Sequence, residues 1–155
     1  MTEAGFIIFP RRTPESMTRP LISVIVPTYN RPEHLAPLLD SVLAQDFADW
    51  EMVVGEDCSP AREQVKAIMV DYAARGNGRM RLHLHSENLG YDRGIRGLIE
   101  QSKGRFLFVM GDDDFVAPGA FKTTADIVAR YPNVGFILRS FAWFVGTTEN
   151  VFQIS

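Results

Sequence analysis

From Leu21 onward, short apolar runs alternate with longer stretches of helical period. Leu21–Val26 is β-branched, almost wholly apolar and closed by Pro27, the pattern of a strand buried on both faces of a parallel sheet. Pro32 suits a first helical turn, and Leu35, Leu38, Leu39, Val42 and Leu43 recur at i, i+3, i+4, i+7 and i+8, so one face of that helix is apolar. Trp50–Val54 is the second predicted strand. A polar turn from Gly55 to Pro60 leads into a helix with Val65, Ile68, Met69, Tyr72 and Ala73 on one stripe, ended by Gly76-Asn77-Gly78. Met80–His85 is a third strand, and Asp92–Ser102 a third helix with Ile95, Leu98 and Ile99 inward. Arg105–Met110 is a fourth strand, Pro118–Tyr131 a fourth helix with Phe121, Ala125 and Val128 inward, and Val134–Arg139 a fifth strand before an aromatic tail at Phe141, Trp143 and Phe144. Such alternation predicts an α/β fold: a doubly wound, mostly parallel sheet with helices on both faces. Residues 1–20 mix Pro, Arg, Thr and Ser without period and are expected to form an extended arm ahead of a folded domain at 21–155.

Composition narrows the function classes. With 155 residues and 46% hydrophobic content, the chain has material for one core. Sixteen basic residues against 19 acidic ones leave a net charge of −3, which provides no general field for a nucleic-acid backbone. Cys58 is the only cysteine, so an internal disulfide and a cysteine zinc site are both excluded and a reducing, cytoplasmic compartment is expected. Gly5–Phe9 is too short for a secretory core, and no run approaches the roughly 20 apolar residues of a spanning helix. Peripheral contact with the inner face of a membrane stays open.

Ligands of doubly wound sheets sit outside the carboxyl ends of the strands, so the segments after each strand are read together. They are Pro27-Thr28-Tyr29-Asn30, Glu56-Asp57-Cys58-Ser59, Ser86-Glu87-Asn88-Leu89-Gly90 and Gly111-Asp112-Asp113-Asp114. Three consecutive carboxylates after the apolar run Phe106–Met110 are the sharpest signal. Unit charges about 4 Å apart repel by on the order of 4 kcal/mol near a protein surface, so such a triplet draws in a cation or keeps a proton. Its all-oxygen ligands suit Mg²⁺ or Mn²⁺ carrying a diphosphate; the bland alternative is a solvated acidic turn. Asp57 has the position to accept from a base N–H or a ribose hydroxyl, and equally the composition of an Asx-turn. Thr28 and Tyr29 are candidates to wall a base. Gly90 and Gly94 around Asn88 and Arg93 allow a close phosphate approach at a helix start, with Arg93 or Arg96 as the anion partner, or else form a plain turn. His83 and His85 share one side of a strand by their spacing, but with no third ligand nearby they are read as surface or sheet residues.

In this order the residues resemble the family 2 glycosyltransferases of the GT-A fold over roughly Leu21 to Phe141. Leu21–Arg31 is similar to that family's first strand and nucleotide loop, and Gln45-Asp46-Phe47 with Trp50-Glu51 to its approach to the second strand. Asn88-Leu89-Gly90, Lys103-Gly104-Arg105 and Gly111–Asp114 complete the set. The resemblance implies an inverting transfer of sugar from a nucleoside-diphosphate sugar to an acceptor hydroxyl, on a saccharide or lipid-linked acceptor. It puts Pro27, Tyr29 and Asp57 near the nucleoside, and makes Asp112–Asp114 the D-x-D element, with Asp112 and Asp113 toward the ribose and Asp112 and Asp114 on a divalent Mn²⁺ or Mg²⁺. Two departures accompany it. Glu56 stands where a first Asp is usual, and Cys58 where a Gly is. No residue matches the family's general base, which lies in an acceptor-binding half that such enzymes carry beyond this length, so a missing domain, a partner chain or a non-catalytic nucleotide-sugar-binding module is the rival expectation. A phosphoacceptor receiver would have acids after the first strand, and a dinucleotide-binding dehydrogenase a G-x-G-x-x-G there; Pro27–Asn30 has neither. Nucleotidyl transfer remains a minor alternative.

Overall fold

The computed structural model describes residues 19–138, 140–144 and 151–154. Strands β1 (Ile22–Thr28), β2 (Trp50–Glu56), β3 (Met80–Leu84) and β4 (Phe106–Val109) form one parallel sheet in the order β3-β2-β1-β4. They alternate with helices α1 (Pro32–Leu43), α2 (Arg62–Arg75), α3 (Gly90–Gln101) and α4 (Ala120–Arg130). A second sheet pairs β5 (Ala142–Phe144) with β6 (Val151–Ile154), antiparallel.

Chain order explains the layers. β1, β2 and β3 add strands in one direction, and the chain then returns past β1 to place β4 on its other side. Crossovers between parallel strands are right-handed, so reversing the direction moves the connecting helix to the opposite face. The helices therefore divide. Ile22, Val24 and Val26 of β1, with Trp50, Met52 and Val54 of β2, point into the large core with α1, α2 and Phe121 and Val128 of α4. Ile25 and Val53 point the other way, onto Leu98 of α3. Strands covered on both faces need buried, mostly apolar residues, and the polar members of β1 and β2, such as Ser23 and Glu51, are buried and hydrogen-bonded. Gly55 lets α3 come close, since a Cβ there would meet Leu98 Cδ2 at 2.6 Å.

The amino ends of the strands are tied by a buried polar network. Ser23 Oγ donates to Glu51 Oε1 at 2.7 Å and accepts from the Gly104 N–H at 2.6 Å. Arg81 Nη2 donates to Glu51 Oε2 at 2.8 Å, and the Lys103 N–H donates to Glu51 Oε1. Burial alone would raise the Glu51 carboxyl, but these donors together hold it below the ordinary carboxylate range.

The doubly wound sheet with helices on both faces is the observed architecture. Two local expectations are corrected. Residues 134–138 form no strand: the segment reaches the core through Ile137 and partly buried Val134, leaving Phe136 and Leu138 exposed. On α4, Thr124 rather than Ala125 is fully buried, its hydroxyl satisfied by the Ala120 carbonyl at 2.9 Å. The expected arm, apart from residues 19 and 20, and the side chains of Trp143 and Phe144 lie outside the described residues. Among the described residues no helix is long and apolar enough to cross a membrane.

Candidate functional site

β1 and β4 are the neighbours between which the strand order reverses, and in such sheets a crevice opens at that point, beyond the carboxyl ends. A cleft of about 450 Å³ lies there, lined by residues that follow all four strands. Its acidic wall is the segment after β4. Thr28 Oγ1, at the end of β1, donates to Asp112 Oδ2 at 2.8 Å and so docks that segment onto the first strand. Arg31, at the N-cap position of α1, reaches the same segment with both ends of its fork: Nη1 lies 3.0 Å from Asp112 Oδ1 and Nη2 2.6 Å from Asp113 Oδ2. The Gly111 N–H donates to Asp114 Oδ2 at 2.8 Å. From behind, Gln45 at the end of α1 accepts from the Phe121 N–H and donates to the carbonyls of Val116 and Ala117, fixing the stretch between the acids and α4.

Charge is crowded here. Burial pushes the Asp112 carboxyl above the ordinary range, and the Thr28 hydroxyl and the Arg31 guanidinium reduce that shift without reversing it. Asp114 is raised too, first by burial and then by the charges of Asp113 and Asp112, against the opposing Gly111 hydrogen bond. Ionising Asp112 and Asp114 in this cleft therefore costs more than it does in water. Among the described residues, no three acidic, His or Cys side chains converge as a ready-made metal cage. The pair Asp112 and Asp114 is nevertheless a hard-oxygen donor set of the size that Mg²⁺ uses when phosphate and water complete its shell.

The opposite wall is built on Asp57. Its Oδ1 accepts from the Leu89 N–H at 2.8 Å and its Oδ2 from the Gly90 N–H at 2.9 Å, so one carboxylate anchors the start of α3. Asn88 Oδ1 also accepts from Gly90 N–H, at 3.0 Å. Below Asp57, fully buried Glu56 accepts from the backbone N–H groups of Cys58 and Ser59 and from Arg62 Nε at 2.7 Å, and Arg62 also donates to the His85 carbonyl. The structure bears on both departures from the family pattern. Glu56 turns back under its own loop, and Cys58 adopts φ +56°, the left-handed conformation in which Gly is easiest.

Of the residues expected at the site, Pro27, Thr28, Tyr29, Asp57, Asn88, Asp112, Asp113 and Asp114 all line the cleft. Arg93 does not. On α3 the lining positions are Gly90, Tyr91, Gly94 and Leu98, a stripe of period four, and this phase turns Arg93 outward into solvent. Four further residues came from the structure rather than from the sequence reading: Arg31, Gln45, Tyr91 and His85. Tyr29 and Tyr91, 47% and 67% exposed, stand at the cleft as open aromatic faces. His83 and His85, expected as surface or sheet residues, have ring centroids 4.8 Å apart; the His85 N–H donates to the Glu56 carbonyl of β2 at 3.0 Å, while its side chain is buried, lines the cleft and, among the described residues, has no hydrogen-bond partner at Nε2.

Comparison with known proteins agrees with this geometry. The family profile described as glycosyl transferase family 2 matches residues 23–155. Poly(ribitol-phosphate) beta-N-acetylglucosaminyltransferase TarS of Staphylococcus aureus is 32% identical over 112 residues, 70% of this chain and 19% of that protein. A putative colanic acid biosynthesis glycosyl transferase, WcaA of Escherichia coli, is 32% identical over 100 residues, 64% of this chain and 34% of that protein. The crystal structure of S. aureus TarS 1–349 in complex with UDP-GlcNAc superposes with a TM-score of 0.65 at 29% identity, covering 72% of this chain and 32% of that one. The present chain thus spans about a third or less of the length of these relatives.

Proposed function

The chain belongs to glycosyl transferase family 2, and from that membership we propose that its cleft binds a nucleoside-diphosphate sugar for metal-dependent, inverting transfer to the hydroxyl of a saccharide or lipid-linked acceptor. The observation that carries this reading is the 2.8 Å contact from Thr28 to Asp112, which brings the acidic segment to the end of the first strand, at the crevice where this kind of sheet takes ligands. The similarity to TarS, whose structure holds UDP-GlcNAc, supports the same class of ligand.

Roles follow from position. Tyr29 offers an aromatic face to the base, beside Pro27 and Thr28, and Tyr91 offers another across the cleft. Asp57 keeps the backbone of Leu89 and Gly90 in place, and its remaining lone pairs face the nucleoside. Asn88 stands beside it. Asp112 and Asp113 lie toward the ribose, and Asp112 with Asp114 would hold the divalent ion. That ion, when bound, supplies the charge that neutralises the leaving diphosphate. Arg93 has no part in the donor set, and no general base is assigned among the described residues.

The test is calorimetric titration of the chain with a panel of nucleoside diphosphates, with and without Mn²⁺, on the wild type and on Asp114→Ala. Binding that requires the metal and disappears in the variant is expected. Equal binding by both proteins without metal would refute the assignment.

A further inference from the structure

Arg31 holds the acidic segment in a way the donor-site reading does not use. Its fork joins two neighbouring carboxylates, Asp112 and Asp113, of which Asp112 is only 5% exposed. Both oxygens of Asp112 are engaged, Oδ2 by the Thr28 hydroxyl and Oδ1 by Arg31. A second cation ligated by Asp112 would therefore face the guanidinium's full positive charge at close range, and the two compete for one acceptor. Arg31 can yield: its side chain is 39% exposed and lines the cleft, so it can leave the carboxylates without leaving the site. Once released, a planar fork beside a diphosphate has the geometry to bind it bidentately.

We propose that Arg31 is a resident counter-cation of the Asp112–Asp113 pair, which an incoming metal displaces, and that the displaced guanidinium then grips the diphosphate. The proposal rests on the donor-site reading above and adds a residue and an order of events to it. It separates two quantities that a simple binding residue would move together. Removing Arg31 strengthens binding of the metal alone, because a competitor is gone, and weakens binding of the metal-loaded nucleotide, because a phosphate partner is gone.

The experiment uses the full chain as wild type, Arg31→Gln and Arg31→Lys, with thermal melts to establish folding. Binding of Mn²⁺ alone is read from loss of the free-ion electron paramagnetic resonance signal, and binding of uridine diphosphate at saturating Mn²⁺ from calorimetry. In Arg31→Gln we expect Mn²⁺ alone to bind about tenfold more tightly and uridine diphosphate about tenfold more weakly, each the size of one charge-assisted hydrogen bond. Arg31→Lys keeps a charge but not the fork, and should move both quantities the same way by roughly threefold, which carries the test should the glutamine variant fail to fold. Mn²⁺ binding that is unchanged or weaker in the variants overturns the displacement, and unchanged nucleotide binding overturns the phosphate contact. Failure of the wild type to bind any nucleoside diphosphate would sink the donor-site reading and the phosphate contact with it, while the Mn²⁺-only comparison would still decide the displacement.

Discussion

Replacing Asp114 by Asn should make the metal-free protein more stable at neutral pH while removing its metal-dependent ligand binding. Asp114 is raised by burial and by the neighbouring charges of Asp113 and Asp112, so its ionised form is disfavoured in the folded state. A Cβ built on Gly111 would lie 3.0 Å from both Asp113 Oδ1 and Asp114 Oδ2, so those two oxygens are within about 6 Å of each other. At that range two charges repel by about 3 kcal/mol at the effective dielectric of a protein surface, and solvent exposure of Asp113 reduces the net effect to about 1 kcal/mol. Asn keeps an oxygen for the Gly111 N–H, so that hydrogen bond survives. A carboxyl whose folded pKa is raised contributes stability when protonated, in full below the unfolded pKa, and loses it as pH rises through the folded pKa. The variant retains the neutral form and should therefore exceed the wild type by about 1 kcal/mol at pH 7, roughly 2–4 °C in Tm. At a pH below the unfolded Asp value, near 4, the advantage should vanish. Urea unfolding at pH 7 and pH 3.5, without metal, measures both. A variant less stable than the wild type at pH 7, or one whose advantage persists in acid, would refute the account of a strained carboxylate.

Three other substitutions probe the frame and the opposite wall. Gly104→Ala puts a Cβ 2.5 Å from the Ser23 backbone nitrogen, which cannot swing away; a loss above about 2 kcal/mol in urea unfolding is expected, and under about 0.5 would mean the loop yields. Glu51 is held below the ordinary carboxylate range, so its stabilisation is present above the unfolded pKa and lost as pH falls through the folded one. Glu51→Gln should therefore cost about 1–3 kcal/mol at pH 7, with the gap to the wild type closing in unfolding curves below about pH 4. Asp57→Asn turns one acceptor into a donor facing an N–H; faster hydrogen exchange at Leu89 and Gly90 and weaker nucleoside-diphosphate binding are expected, and faster exchange with unchanged binding would limit Asp57 to anchoring α3.

The fold was legible because its strands are buried on both faces and its helices on one, and those two demands write different periods. β1 and α1 show this most plainly: Ile22–Val26 is apolar except at Ser23, while Leu35, Leu38, Leu39 and Val42 return with the helical turn and are all fully buried. The same reasoning failed at residues 134–138, where apolar content was present but the described residues form no strand. At the site, the acids and Asp57 were legible as a cluster after strand ends, whereas Arg31 was not, because nothing in Asn30-Arg31-Pro32 says that a side chain will turn back across 82 positions to Asp113. Arg93 illustrates the converse. Its sequence neighbourhood was right, but the phase of α3 was not known closely enough to tell an inward position from an outward one. His85 was read as a surface or sheet residue, and a histidine at a strand end carries no sign of its depth.

The two ends of the sheet are built on opposite principles. At the amino ends Glu51 is a buried carboxylate with three donors, from Ser23, Lys103 and Arg81, and its pKa is lowered. At the carboxyl ends the carboxyls of buried Asp112 and partly buried Asp114 are under-compensated, and both are raised above the ordinary range. Both sets ride on the same strand, since Ser23 lies near the start of β1 and Thr28 ends it. A rim whose charges are fully matched gains nothing from a further ion, whereas a rim with excess negative charge is relieved by one. The proposed ligand site and the stabilising network therefore lie at different ends of one strand, and the acidic end can remain poorly balanced because the other end, with the apolar core between them, keeps the sheet assembled.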